Sequence, residues 1–130
     1  MKRNLDLIRE IMIYCEKTLK PGSLLIAKNI PKSLYEEIDP SMTEVEFMEH
    51  LNLLNESGLI EGKGVKVGGG IFVEYMIQRI TSSGYDFLDA LRNDSVWKAV
   101  KEKGNAVGGI ALNTMIDFAL DYARKNLLGL

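Results

Sequence analysis

Residues 43–80 read TEVEFMEHLNLLNESGLIEGKGVKVGGGIFVEYMIQRI, and this stretch decides the fold. Thr43 with Glu46 three positions on is the pattern of a capping box, in which each residue's side chain satisfies the other's backbone N–H. Phe47, Met48, Leu51 and Leu54 fall within one arc at 100° per residue and must face a core. The opposite arc is read as Glu46, Glu49, His50, Leu53 and Ser57. Ser57-Gly58 stops the helix, because glycine alone takes the left-handed cap conformation without strain. Leu59-Ile60-Glu61 and Val65-Lys66-Val67 then form one strand, and Ile71 to Ile80, rich in β-branched and aromatic residues, forms another. Gly68-Gly69-Gly70 makes the tip between them. A capped amphipathic helix ending in Gly-Leu-Ile and followed at once by a hairpin is the order of a recognition helix and its wing.

Working outward, Leu5, Ile8, Met12, Cys15 and Leu19 recur at helical steps and predict a helix over residues 5–19, ended by Pro21-Gly22. Residues 23–39 predict a short extended piece at Leu24-Leu25-Ile26-Ala27 and an abbreviated helix over 32–38. Beyond the hairpin, helices are expected over residues 84–92, then from a cap at Asp94 or Ser95 through Val96, Trp97 and Val100. Gly104 and Gly108-Gly109 read as a loop. A last helix over 111–127 carries one apolar stripe (Leu112, Ile116, Ala119, Leu120, Ala123, Leu127) and a displaced second one (Met115, Phe118, Tyr122). The fold class is therefore α+β, mostly α: a winged helix-turn-helix over residues 1–80, with a two- or three-stranded wing sheet and additional C-terminal helices over 81–130, all within one domain.

The chain has 130 residues, 46% apolar and 26% charged, an ordinary balance for one folded core. A lone cysteine, Cys15, forms no internal disulfide and sits among apolar neighbours, so it reads as a buried thiol. No stretch approaches the roughly 20 apolar residues a membrane helix needs, and the start lacks the apolar run of a signal peptide; a cytoplasmic location is expected.

Several residues resemble a known family. The opening Met1-Lys2-Arg3 and Asp6 to Arg9, then His50-Leu51, Leu53-Leu54 and Gly58-Leu59-Ile60, are similar to a domain-of-unknown-function family of small bacterial and prophage proteins. Thr81, Gly84, Phe87-Leu88-Asp89-Ala90, Arg92, Asp94, Val96-Trp97 and the ending Leu128-Gly129-Leu130 continue the resemblance, which is least between Pro21 and Asp39. It implies a winged-helix-like fold and a mobile-element setting. It brings no activity and no functional residues.

Chemistry is hard to place on these residues. His50 and Glu46 share a helix face at a spacing that could present two metal ligands, but a closed site needs more, so no metal is expected. The glycines at 68–70 lead into a strand, whereas a phosphate loop leads through Gly-Lys-Ser/Thr into a helix. Asp86 and Asp89 suit the first turn of a helix, and Asp121 with Lys125 suits a surface ion pair. Trp97 and Phe118 lie on apolar stripes and read as core. With no nucleophile–base pair and no cofactor motif, neither an enzyme nor a bound cofactor is expected.

Binding remains. The net charge is −2, and its distribution is uneven. From Lys28 to Gly62 two cations (Lys28, Lys32) face eight acids (Glu36, Glu37, Asp39, Glu44, Glu46, Glu49, Glu56, Glu61), a net of −6. The rest of the chain is net +4. A recognition helix that offers acids and no cation is poorly suited to phosphates, whose binding rests on lysine and arginine. Duplex DNA contact would have to be led by the wing, through Lys63, Lys66 and Arg79, with Lys2, Arg3 and Arg9 near the start. The expected role is a DNA-binding or transcription-regulator-like winged helix. The alternative is a protein-interaction or dimerisation module, using His50 and Leu53 on the acidic arc, and Met115, Phe118 and Tyr122 in a homodimer through the last helix. No membrane or small-molecule partner is suggested.

Overall fold

A computed structural model of the chain, describing residues 1–106 and 111–127, shows an α+β, mostly helical protein of two compact units, residues 1–81 and 82–130. The first unit runs α1 (Leu5–Thr18), β1 (Leu25–Ile26), a 3-10 turn (Ala27–Asn29), α2 (Ser33–Glu36), α3 (Glu44–Glu56), β2 (Ile60–Val67) and β3 (Ile71–Ile80). The strands form an antiparallel sheet in the order β1-β3-β2. Asn4 caps α1, its Oδ1 accepting the Leu7 N–H at 3.1 Å. The capping box of α3 is present in both directions, each bond 3.1 Å. Gly58 follows α3 with φ +75°, the left-handed turn that lets the chain leave the helix. The weakly patterned stretch before α3 resolves into one turn of helix, shorter than the expected span over 32–38. Its Tyr35 is buried and stacks on Phe47, with centroids 4.7 Å apart.

The core of this unit is made by Leu7, Ile8, Ile11 and Met12 of α1, Phe47, Met48, Leu51 and Leu54 of α3, and one face of the hairpin. That face is kept continuous by irregular pairing. The buried residues of β3 are Phe72, Tyr75, Ile77 and Ile80, a spacing of three, two and three that a regular strand would scatter over both faces. Register shifts at Glu61/Gly62 and at Val65/Lys66 absorb one extra β3 residue each, as β-bulges do. The result pairs Ile60 with Ile80, Gly62 with Ile77, Gly64 with Tyr75 and Lys66 with Phe72 on the core side. Gly62 and Gly64 are required there for space. A Cβ on Gly62 would stand 2.8 Å from the Met76 carbonyl and 2.9 Å from the Tyr75 ring, and one on Gly64 2.8 Å from the same ring with the Phe72 ring closer still.

The second unit consists of α4 (Ser82–Leu91), α5 (Asp94–Ala106) and α6 (Leu112–Leu127). Phe87, Leu88 and Leu91, Val96 and Val100, and Leu112, Met115, Ile116 and Ala119 are among its buried positions. The cap of α5 is Asn93 rather than Asp94 or Ser95: its Oδ1 accepts the backbone N–H groups of Ser95 and Val96 at 3.0 and 3.2 Å. Gly104, expected in a loop, lies inside α5; a glycine costs a helix about 1 kcal/mol relative to alanine, which tertiary context overrides. Gly108 and Gly109 lie outside the described residues.

Candidate interaction surface of α3 and the hairpin

The outward side of α3 is rotated from the arc that the sequence suggested. His50, read as outward, has no exposed surface, whereas Val45 is 41% exposed. The solvent-facing arc runs from exposed Val45 to exposed Glu56 through half-buried Glu49 and Asn52, with Leu53, also half-buried, on its flank. The error came from centring the polar arc on the charged residues. His50 is a polar side chain on the buried side, accommodated because both ring nitrogens are bonded. Its Nε2 accepts the Asn4 backbone N–H at 2.9 Å, and its Nδ1–H donates to the Glu46 carbonyl at 2.8 Å. Burial pushes its pKa below the usual value, consistent with a neutral ring bridging α1 and α3.

The last turn of α3 holds the hairpin by a carboxamide clamp. Asn55 Nδ2 donates to the Gly62 carbonyl at 3.1 Å and to the Tyr75 hydroxyl at 2.8 Å, while its Oδ1 accepts the Gly62 N–H at 3.2 Å. The Tyr75 hydroxyl donates in turn to Asn52 Oδ1 at 3.0 Å. Asn55 thus occupies both backbone groups of Gly62 as a neighbouring strand would. Sequence reasoning missed Asn52 and Asn55. The available signal was two amides three apart on one helix, followed by alternate glycines in a strand, which mark close approach of another group.

The two candidate lysines of the wing do not share a face. Lys63 pairs in register with Met76 and Lys66 with Phe72, so the two exposed wing lysines stand on opposite faces of the ribbon. The Lys66 ammonium lies 4.7 Å from the Phe72 ring centroid, a cation–π contact. Arg79 is engaged by Glu61 through two nitrogens, at 2.9 and 2.7 Å, and holds that carboxyl below its ordinary range. Lys2 is exposed, while Arg3 and Arg9 are half-buried and each has interaction partners of its own. The outer face of the hairpin instead carries apolar surface: Val65, Val67 and Ile71 are 43%, 53% and 46% exposed.

In the second unit, Met115 is buried and cannot serve as the contact residue it was expected to be. The displaced stripe turns inward at Met115 because Leu112, Met115, Ile116 and Ala119 together form one buried arc. Phe118 and Tyr122 are half-buried, with their rings 5.9 Å apart, and the Lys103 ammonium lies 5.8 Å from the Phe118 ring. Trp97 is likewise half-buried beneath Lys101, at 5.7 Å. Among the described residues no three His, Cys, Asp or Glu side chains are grouped to hold a metal ion, and no helix is long and apolar enough to cross a membrane.

The sequence from residue 2 to residue 111 matches the family model described as "Hypothetical protein (DUF2513)". The chain belongs to the DUF2513 family. A relative is found in Haemophilus influenzae strain Rd, an uncharacterized protein 29% identical over 101 residues, covering 78% of this chain and 76% of the relative. No solved structure shows a significant match. The DUF2513 match takes in all of the first unit except Met1, including α3, the clamp and the hairpin.

Proposed function

We propose that residues 1–81 form a winged helix-turn-helix of regulator type, of bacterial or prophage origin, acting in the cytoplasm by contact with protein rather than by insertion of α3 into a DNA groove. The winged-helix reading is supported by the element order. A helix, a short strand, two helices and a hairpin follow one another, with the short strand paired to the second hairpin strand. Duplex readers of this class lay the second of the paired helices in the major groove, the position that α3 holds here.

The observation that carries the choice of partner is the solvent-facing arc of α3, Val45, Glu49, Asn52 and Glu56, which lacks a cation. A carboxylate about 8 Å from a phosphate costs about 0.5 kcal/mol in water, and no counterion release offsets it. An apolar residue among acids and an amide suits a protein surface bearing cations around an apolar anchor.

A photo-crosslinking residue placed at Val45, and separately at Lys63, tests this in producing cells. The reading expects adducts at Val45 that are destroyed by protease and untouched by nuclease. Nuclease-sensitive adducts at Val45 would overturn it. A second reading, duplex DNA gripped by the wing, is favoured by the exposure of Lys63 and Lys66. It expects nuclease-sensitive adducts at Lys63, and a low-salt gel shift with random duplex that Lys63→Glu/Lys66→Glu abolishes.

A further inference from the structure

We infer that the free edge of β2 pairs antiparallel with β2 of a second copy of this chain, about a two-fold axis passing between the two Val65 residues. The inference rests on the protein-contact reading and names one such partner.

Of the hairpin's two edges, that of β3 is covered in its middle: β1 pairs with Met76 and Ile77, and the Glu74 carboxylate accepts the Tyr75 N–H at 2.9 Å. On β2, both backbone groups of Gly62 point away from β3, since Asn55 takes them. Successive residues of a strand alternate in this respect, so Gly64 and Lys66 present their N–H and C=O groups on the same edge. Among the described residues no side chain reaches these groups. An edge closed at Gly62 and open at Gly64 and Lys66 admits one self-pairing. An axis at Lys63 or Gly64 needs Gly62, which the clamp has taken. An axis at Lys66 sets two ammonium groups opposite each other. An axis at Val65 sets Gly64 against the copy's Lys66 and uses both open residues twice.

The side chains agree with that register. On the outer face it places Val65 against its counterpart and Val67 against the aliphatic stem of the copy's Lys63. Val65, Val67 and Ile71 of both copies then merge into one apolar surface, which accounts for three large exposed residues at a hairpin tip. On the core face the two Lys66 are offset by one residue to either side of the axis, so no like charges stand directly opposed. The contact is small, in the class of weak associations that bury less than about 1,200 Å².

The test is disulfide trapping in the full chain. Directly opposed residues that exchange no backbone hydrogen bonds bring their Cβ atoms to about 4.5–5.5 Å, within reach of an S–S bond after slight adjustment. Val65→Cys should oxidise to a covalent dimer at least ten times faster than Val67→Cys or Glu61→Cys, with Cys15 buried and silent. Wild-type protein should show a monomer–dimer equilibrium in sedimentation up to about 0.5 mM, and Lys66→Pro, which deletes an outward N–H while keeping the monomer's circular dichroism, should be monomeric. Wild type that stays monomeric throughout, or equal trapping at the three positions, would overturn the inference. Protein adducts at Val45 would survive that outcome, so the broader reading fails or stands separately.

Discussion

The backbone N–H of Asn4 donates to Nε2 of His50 at 2.9 Å, joining the cap of α1 to the middle of α3 across 46 positions. The bond requires a lone pair on Nε2, so it exists only with a neutral ring. Its folded pKa lies below the ordinary value of about 6.5 because burial disfavours the charged form. A depressed histidine contributes stability that is full above the unfolded value and is lost as pH falls from about 6.5 through the folded value.

Urea unfolding between about pH 7.5 and about pH 5 should therefore show stability falling with acidity, with His50 contributing a slope of up to about 1.4 kcal/mol per pH unit. His50→Gln retains a donor and an acceptor without titrating, and should flatten that slope. An unchanged slope in the variant would remove His50 as its source.

Asn55 fills three hydrogen bonds between α3 and the hairpin. Asn55→Ala should cost about 2–4 kcal/mol in chemical denaturation, since it orphans both Gly62 groups and half of the Tyr75 partnership. Tyr75→Phe should cost about 1 kcal/mol. The two should couple in a double-mutant cycle, as residues of one network do. Strict additivity would contradict the clamp.

Glycine to alanine in a strand ordinarily gains about 0.5–1 kcal/mol. At Gly64 the sign should reverse, with a loss of about 1–3 kcal/mol from overpacking against Tyr75 and Phe72. Gly68→Ala meets nothing within 4 Å and carries no positive φ, so its melting temperature should equal or exceed that of the wild type.

Cys15 has no exposed surface, and burial pushes its thiol pKa up to about 12. Because the thiolate is the reactive species, a chromogenic disulfide reagent should leave native protein unmodified for hours and titrate one thiol in denaturant. Rapid native labelling would show that the α1 interior opens.

Elements whose signal is local were legible from the amino-acid sequence. The Thr43–Glu46 box, the Gly58 stop, the glycine tip and the apolar spacing of α1 are each written within a few residues, and α1, α3 and the hairpin formed where those signals lay. Features set by tertiary contact were not. His50 looks outward until Asn4 supplies an acceptor's partner, and Met115 joins the buried arc only once α6 is packed within its unit. The bulges of β3 are invisible to a strict period of two. The wing lysines are three apart, which in a strand sends them to opposite faces, so their failure to converge was available from spacing and was obscured by treating the wing as one patch.

Asn55 grips the hairpin at Gly62, close to its base, and leaves the ribbon from Gly64 outward unsupported on that side. The arrangement is that of a lever with its fulcrum at a helix end. Force on the glycine tip would meet α3 first at this base, where Asn55 and the Tyr75–Asn52 bond join ribbon to helix.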